Sequence, residues 1–194
     1  STCQIGSTWK TSISQLVARK LPTPTIRHDW FGVWTLLQET RQNPSVAIIG
    51  AGMTGILVAI KLREAGIDDI TILEKADRLG GTWRENTYPG VACDVPAHMY
   101  TYSFAANPEW NHRYARGDEI QDYFEGVSDR YGVNDRIRFN ESVTACDWVD
   151  GKWHLETSRG ASLQADFVIS ATGILHHPAF PEIEGLQDFK GEMF

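Results

Sequence analysis

The segment Gly50-Ala51-Gly52-Met53-Thr54-Gly55 constrains this chain more than any other. A lone GxGxxG is weak, so its context decides its meaning. Here it follows Ser45-Val46-Ala47-Ile48-Ile49, a continuous apolar run of the kind that parallel sheets bury on both faces. It opens a segment in which Met53, Ile56, Leu57 and Ile60 recur at i, i+3, i+4 and i+7, the spacing of a helix with one core-facing stripe. Gly66 is placed to cap that helix, and residues 69–74 read as a second strand. Residues 45–74 therefore predict the first βαβ unit of a Rossmann-like α/β fold. In such a unit Gly50 permits the tight turn, Gly52 lets the backbone approach a pyrophosphate, and Gly55 lets helix and strand pack closely. The helix N-terminus adds unpaired N–H groups and the positive end of its dipole. Glu74 ends the second strand, where a nucleotide ribose is expected. A carboxylate there accepts hydrogen bonds from a free diol and repels a 2′-phosphate, which selects FAD or NAD over NADP.

The rest of the chain divides around this unit. Residues 1–44 read as a helical extension, with short helices over 12–21 and 28–42, suited to packing or to a homodimer contact. Residues 45–194 read as the nucleotide-binding domain. Residues 82–111 are rich in Pro, Tyr, Trp and Gly without a clear period, and long loops in compact domains tend to be functional. A helix is expected over 118–131 with Ile120, Tyr123, Phe124 and Val127 on one face, ended by Gly132. Strands are expected at 136–139, 142–148, 152–157 and 163–170. Asp150-Gly151 is the signature of a type I′ hairpin turn, giving a small antiparallel layer beside the parallel sheet.

Bulk composition narrows the partners. A formal charge of -7 and no Lys/Arg run longer than two argue against nucleic acid and anionic lipid. No apolar run reaches the roughly 18 residues of a membrane span. Cys3, Cys93 and Cys146 are odd in number and scattered, which fits reduced thiols in the cytoplasm.

The segment Gly80-Gly81-Thr82-Trp83-Arg84-Glu85-Asn86-Thr87-Tyr88-Pro89-Gly90-Val91-Ala92-Cys93-Asp94 matches the pattern [AG]GxWxxxx[FY]P[GM]xxxD at every fixed position. On this segment the chain resembles the flavin-dependent Baeyer–Villiger monooxygenases, within the flavin-containing monooxygenase superfamily. The resemblance continues through Ala171-Thr172-Gly173 to Phe189-Lys190-Gly191, which looks like the opening of the fingerprint FxGxxxHxxxW. Phe194 falls one residue before the expected His, so the chain is expected to be an N-terminal fragment, incomplete as an FAD-binding domain and inactive on its own. The resemblance implies FAD as cofactor, with NADPH bound mainly by a domain outside these residues. It implies oxidation of a ketone by O2 to an ester or lactone through a C4a-peroxyflavin. Two alternatives are an N- or S-oxygenating flavin monooxygenase and a non-catalytic FAD-binding module.

The resemblance assigns cofactor contacts to Gly50, Gly52, Met53, Thr54, Gly55, Glu74, Gly81, Thr82, Trp83, Asp94, Tyr100 and Val143. Asp94 is the candidate catalytic residue, near the reacting face of the flavin. The residues support several of these roles. Gly80-Gly81 lets the chain pass close to the cofactor. Trp83 lies against the flavin or walls its pocket. Asp94 sits among aromatics and prolines, where a buried carboxylate needs a partner. Ala92 departs from family members that carry Arg there. No metal is expected: His98, His112, His176 and His177 have no ligand partners at suitable spacing. Cys93 lacks the nearby second Cys of a redox pair, and Glu182 and Glu184 read as solvated.

Overall fold

The computed structural model describes residues 43–177 and 179–193. Both expected helices of the N-terminal extension, and any homodimer contact through it, lie outside the described residues. Within them, β1 (Val46–Ile49) leads through the glycine turn into α1 (Met53–Glu64), and β2 (Ile70–Leu73) follows. A long connection carries α2 (Thr82–Glu85), a 3-10 turn at Ala97–Met99 and α3 (Gly117–Arg130) before β3 (Ile137–Arg138). Then come β4 (Val143–Val149), β5 (Lys152–Thr157), β6 (Ser162–Ala165) and β7 (Phe167–Ser170).

The strands form two sheets. One is parallel, in the order β3-β2-β1-β7, and the other is antiparallel, in the order β4-β5-β6. Alternation along β1 explains the layering. Val46 and Ile48 pack with Ile56, Ile60 and Phe124 in the main core, on the helical side of the sheet. Ala47 and Ile49 pack with Leu155, Ala165 and Trp153 of the antiparallel sheet. Both faces of β1 are covered, which is why its sequence is apolar without interruption.

The helices expected after the glycine turn and over 118–131, and the hairpin at Asp150-Gly151, are present. Gly66 ends α1 at φ +82°, with its N–H on the Arg63 carbonyl and the Ile67 N–H on the Leu62 carbonyl, a left-handed cap. Gly132 closes α3 in the same way at φ +62°. Ile120, Phe124 and Val127 are buried, and Tyr123 is half-buried. Asp150 and Gly151 both have positive φ, at 50° and 83°, as a type I′ turn requires.

Four expectations need correction. Residues 163–170 are not one strand. Asp166 breaks them into β6 and β7, which belong to different sheets. Its carboxylate accepts from the Ser45 N–H at 3.0 Å and Ser45 Oγ at 2.8 Å and pairs with Lys152 at 2.8 Å, so the chain turns there from one layer to the other. The expected antiparallel layer is present, and β6 adds a third strand to its hairpin. Met53 does not join the core stripe of α1: it is 42% exposed, in the first turn beyond the sheet edge. The third strand shrinks from 136–139 to Ile137–Arg138, because Asn134–Arg136 winds into a 3-10 turn first. Residues 82–111 are also not structureless. Their aromatic stretch is core: Tyr102 stacks on Phe104 at 5.2 Å and packs against Tyr123 and Phe124 of α3.

Candidate functional site

Three strand ends converge at the glycine turn. Gly50 follows β1, Glu74 follows β2, and Ala171 follows β7. The strands on the two sides of β1 come from distant parts of the chain, and open α/β sheets bind ligands at such a switch point. A Cβ at Gly50, which has φ +102°, would lie 2.7 Å from the Ala171 carbonyl oxygen. A Cβ at Gly55 would lie 2.0 Å from the Gly50 carbonyl oxygen. These two glycines are required by backbone packing alone. Gly52 caps α1 without a side-chain hydrogen bond, and no acidic residue occupies the first turn. The N-terminal end of α1 therefore keeps its donors and its positive field for an anion.

Glu74 is 4% exposed and bound on both oxygens. Oε2 accepts from the Ala51 N–H at 2.8 Å. Oε1 accepts from the Ala76 N–H at 3.0 Å and from Arg84 Nη1 at 2.9 Å. The acid is thus latched onto the glycine turn itself. Ala51 is held from its other side too, since its carbonyl accepts the Gly80 N–H at 3.0 Å. Glu85 joins the same network through Arg84 and Lys75, each at 2.8 Å. Burial acts to raise the Glu85 carboxyl, but Lys75 and Arg84 outweigh it and hold it below the ordinary value.

The second glycine pair makes close contacts within the protein. Gly80, at φ +119°, was expected to let the chain pass a cofactor. A Cβ there would lie 1.8 Å from Gln121 Oε1 of α3. Gly81, at φ +56°, faces Gly52: a Cβ on Gly81 would lie 3.2 Å from the Gly52 Cα. The glycine turn and the start of α2 therefore touch backbone to backbone, bringing Thr82 and Trp83 beside Gly52. Trp83 Nε1 donates to Tyr100 Oη at 2.9 Å, with the rings edge to face at 5.6 Å. Burial pushes the Tyr100 phenol up, with Trp83 opposing and the charges of Cys93 and Asp94 adding to it. Asp94 is exposed rather than buried among these aromatics. Val143 starts β4, two residues after Glu141, whose N–H bonds the Glu74 carbonyl at 2.9 Å. The chain thereby carries Val143 close to the acid. A cleft of about 330 Å³ opens beside Trp83, walled by Tyr88, Pro89, Val91, Arg116 and Gln121.

Two residues of the site were missed in the sequence. Arg84 stood in a variable position of the motif, yet the need of a buried acid for a cation could have pointed to it. Tyr102 donates to the Met53 carbonyl at 2.6 Å and so ties the aromatic stretch to the first turn of α1. Burial pushes its phenol well up, so it stays a donor. No local signal marks Tyr102. Among the described residues, no group of three or more His, Cys, Asp or Glu is placed to hold a metal ion. Cys93 and Cys146 are free thiols. No helix among the described residues is long and apolar enough to cross a membrane.

A glycine turn at a switch point, latched to an acid at the next strand end, defines a dinucleotide-binding type of fold. The chain belongs to the pyridine nucleotide-disulphide oxidoreductase family, whose pattern matches residues 47–193. Within that family its likeness runs to monooxygenases. It is 55% identical over 155 residues to an uncharacterized monooxygenase of Mycobacterium tuberculosis, covering 80% of this chain and 31% of that protein. It is 44% identical over 159 residues to a Baeyer-Villiger monooxygenase of Streptomyces coelicolor, covering 81% of this chain and 30% of that one. The fold superposes on the crystal structure of OTEMO in complex with FAD and NADP, with a TM-score of 0.70 and 34% identity over 78% of this chain and 29% of that one. The chain thus spans about a third of the length of the curated relatives it matches.

Proposed function

We propose that this chain is the FAD-binding part of an NADPH- and O2-dependent monooxygenase that converts a ketone to an ester or lactone. The observation that carries the reading is the uncapped N-terminus of α1, latched through Ala51 to Glu74. Its geometry fits a dinucleotide: Gly50 and Gly55 leave no room for side chains, and the free donors lie beside a ribose-reading acid. The segment from Gly80 to Asp94 and the likeness to Baeyer–Villiger enzymes support the oxygenating class.

The residues divide the work by position. Gly50, Gly52, Met53, Thr54 and Gly55 would bind the pyrophosphate through main-chain donors. Glu74 would take the ribose, with Val143 near the adenine. Gly81, Thr82, Trp83, Asp94 and Tyr100 would line the flavin end. FAD, when bound, supplies the hydride and oxygen chemistry. The protein side orients the ring by Trp83, itself fixed by Tyr100, and presents Asp94 from an exposed position. NADPH, the ketone and O2 would engage mainly parts of the parent beyond this chain. The free thiols agree with a cytoplasmic setting.

The first test is spectroscopic. The purified chain mixed with FAD should retain flavin absorbance at about 450 nm after gel filtration. Loss of all flavin defeats the cofactor assignment for this chain. For the parent, a cyclic ketone with NADPH should give the lactone. Oxygenation of amines or sulfides with no ester from any ketone moves the activity to the N- or S-oxygenating class.

A further inference from the structure

Glu74 and Arg84 form an ion pair in which both side chains are nearly enclosed, 5% and 8% exposed. Each oxygen of a carboxylate can accept about two hydrogen bonds. Oε1 already has two, from Ala76 and Arg84, while Oε2 has one, from Ala51. One acceptor direction remains, on the oxygen that touches the glycine turn. We infer that Arg84 is a positioning residue: it holds Glu74 so that Oε2 reads a single hydroxyl of the nucleotide's adenosine ribose. This rests on the dinucleotide reading of the glycine turn and names how its ribose is selected.

The setting of Arg84 explains why arginine stands there. Nη1 donates to Glu74 and, at 2.8 Å, to the Arg78 carbonyl, while Nη2 donates to Glu85. A planar fork reaches three acceptors at once; a lysine ammonium on a flexible stem does not hold that arrangement. The backbone beneath it is also fixed, since the Arg84 N–H bonds the Gly81 carbonyl at 3.1 Å. Charge follows the same design. An unpaired buried carboxylate beside the turn would oppose a pyrophosphate, and Arg84 offsets it. Rejection of a 2′-phosphate then rests less on repulsion than on Oε2 having no proton to offer it.

The test is nucleotide binding by the full chain, measured by calorimetry with ADP, 2′-deoxy-ADP and 3′-deoxy-ADP. The wild type should lose about tenfold in affinity on removal of the 2′-hydroxyl and little on removal of the 3′-hydroxyl. Arg84→Met should weaken ADP and shrink the tenfold preference to within about twofold, because Glu74 is no longer held. Arg84→Lys should recover part of it. A role confined to stability would weaken all three nucleotides together and leave the preference intact. A cooperatively melting Arg84→Met that keeps the wild-type preference therefore overturns the inference. If Arg84→Met does not fold, Arg84→Lys decides: a full wild-type preference there overturns the role of the fork. A wild type that binds all three nucleotides equally removes Glu74 as the ribose reader, and the inference with it. A wild type that binds none of them defeats the dinucleotide reading as a whole.

Discussion

The two glycine turns of this protein touch each other, yet they need glycine for different reasons. In the first, Gly55 is excluded from carrying a side chain by the Gly50 carbonyl, five residues away in the same turn. In the second, Gly80 is excluded by Gln121, which arrives on α3 from a distant part of the chain. At Gly55 the first turn is a local solution, although its Gly50 also meets the distant Ala171 carbonyl. The second is a tertiary contact. The lesson is that equal-looking glycines carry unequal information: Gly55 reports its own turn, Gly80 a distant neighbour.

Substitutions can break this comparison. Gly55→Ala puts a methyl 2.0 Å from a backbone oxygen that cannot move without opening the turn. It should cost at least about 3 kcal/mol in urea unfolding and abolish flavin retention. Gly80→Ala meets only the end of a side chain, 1.8 Å away, but keeps the strain of φ +119°. It should cost about 2 kcal/mol. The distinguishing result is rescue: Gln121→Ala should recover roughly half in the double variant, leaving about 1 kcal/mol of backbone strain. No rescue would place the second turn with the first.

Two smaller effects sharpen the contrast between turn and scaffold. Asp166→Asn removes the charged pin at the junction of the two sheets and should cost about 1–2 kcal/mol near neutral pH. Lys152, then the Ser45 N–H and hydroxyl, draw the Asp166 carboxyl from 3.8 down to about 2. A depressed folded value means that the stabilisation is present above 3.8 and fades as pH falls towards 2. Denaturation at stepped pH should therefore show the gap between wild type and Asp166→Asn closing across that acid window. Flavin binding at neutral pH should hardly change, because Asp166 holds Ser45 before β1, whereas the glycine turn follows β1 at its other end. Tyr102→Phe loses one hydrogen bond to the Met53 carbonyl and should cost about 1 kcal/mol. Unlike Asp166→Asn, it should also loosen FAD, since Met53 belongs to the first turn of α1.

Much of the site was legible because its chemistry is local. Gly50, Gly52, Gly55 and Glu74 follow one another through a single βαβ unit, and the strand–turn–helix context is written in neighbouring residues. The segment from Gly80 to Asp94 announced its class through fixed positions. What escaped was everything decided by packing between distant segments. Asp166 looks like one polar residue in a strand, and only Ser45 and Lys152 turn it into a corner. Met53 keeps helical spacing, yet its place at the first turn leaves it outside the core. Asp94, in an aromatic setting, is nonetheless exposed.

The amino-acid order alone determined the βαβ unit, the acid at its second strand end and the motif that marks the class. Those features depend on periodicity and on glycine's freedom at positive φ, which act within a few residues. Only the tertiary structure decided that Glu74 is latched to Ala51, that Arg84 fills one side of its carboxylate, and that Gln121 packs against Gly80. Each of these joins segments that periodicity cannot relate. Their partners are chosen by the requirement that buried polar groups be paired, a condition that exists only once the chain has closed.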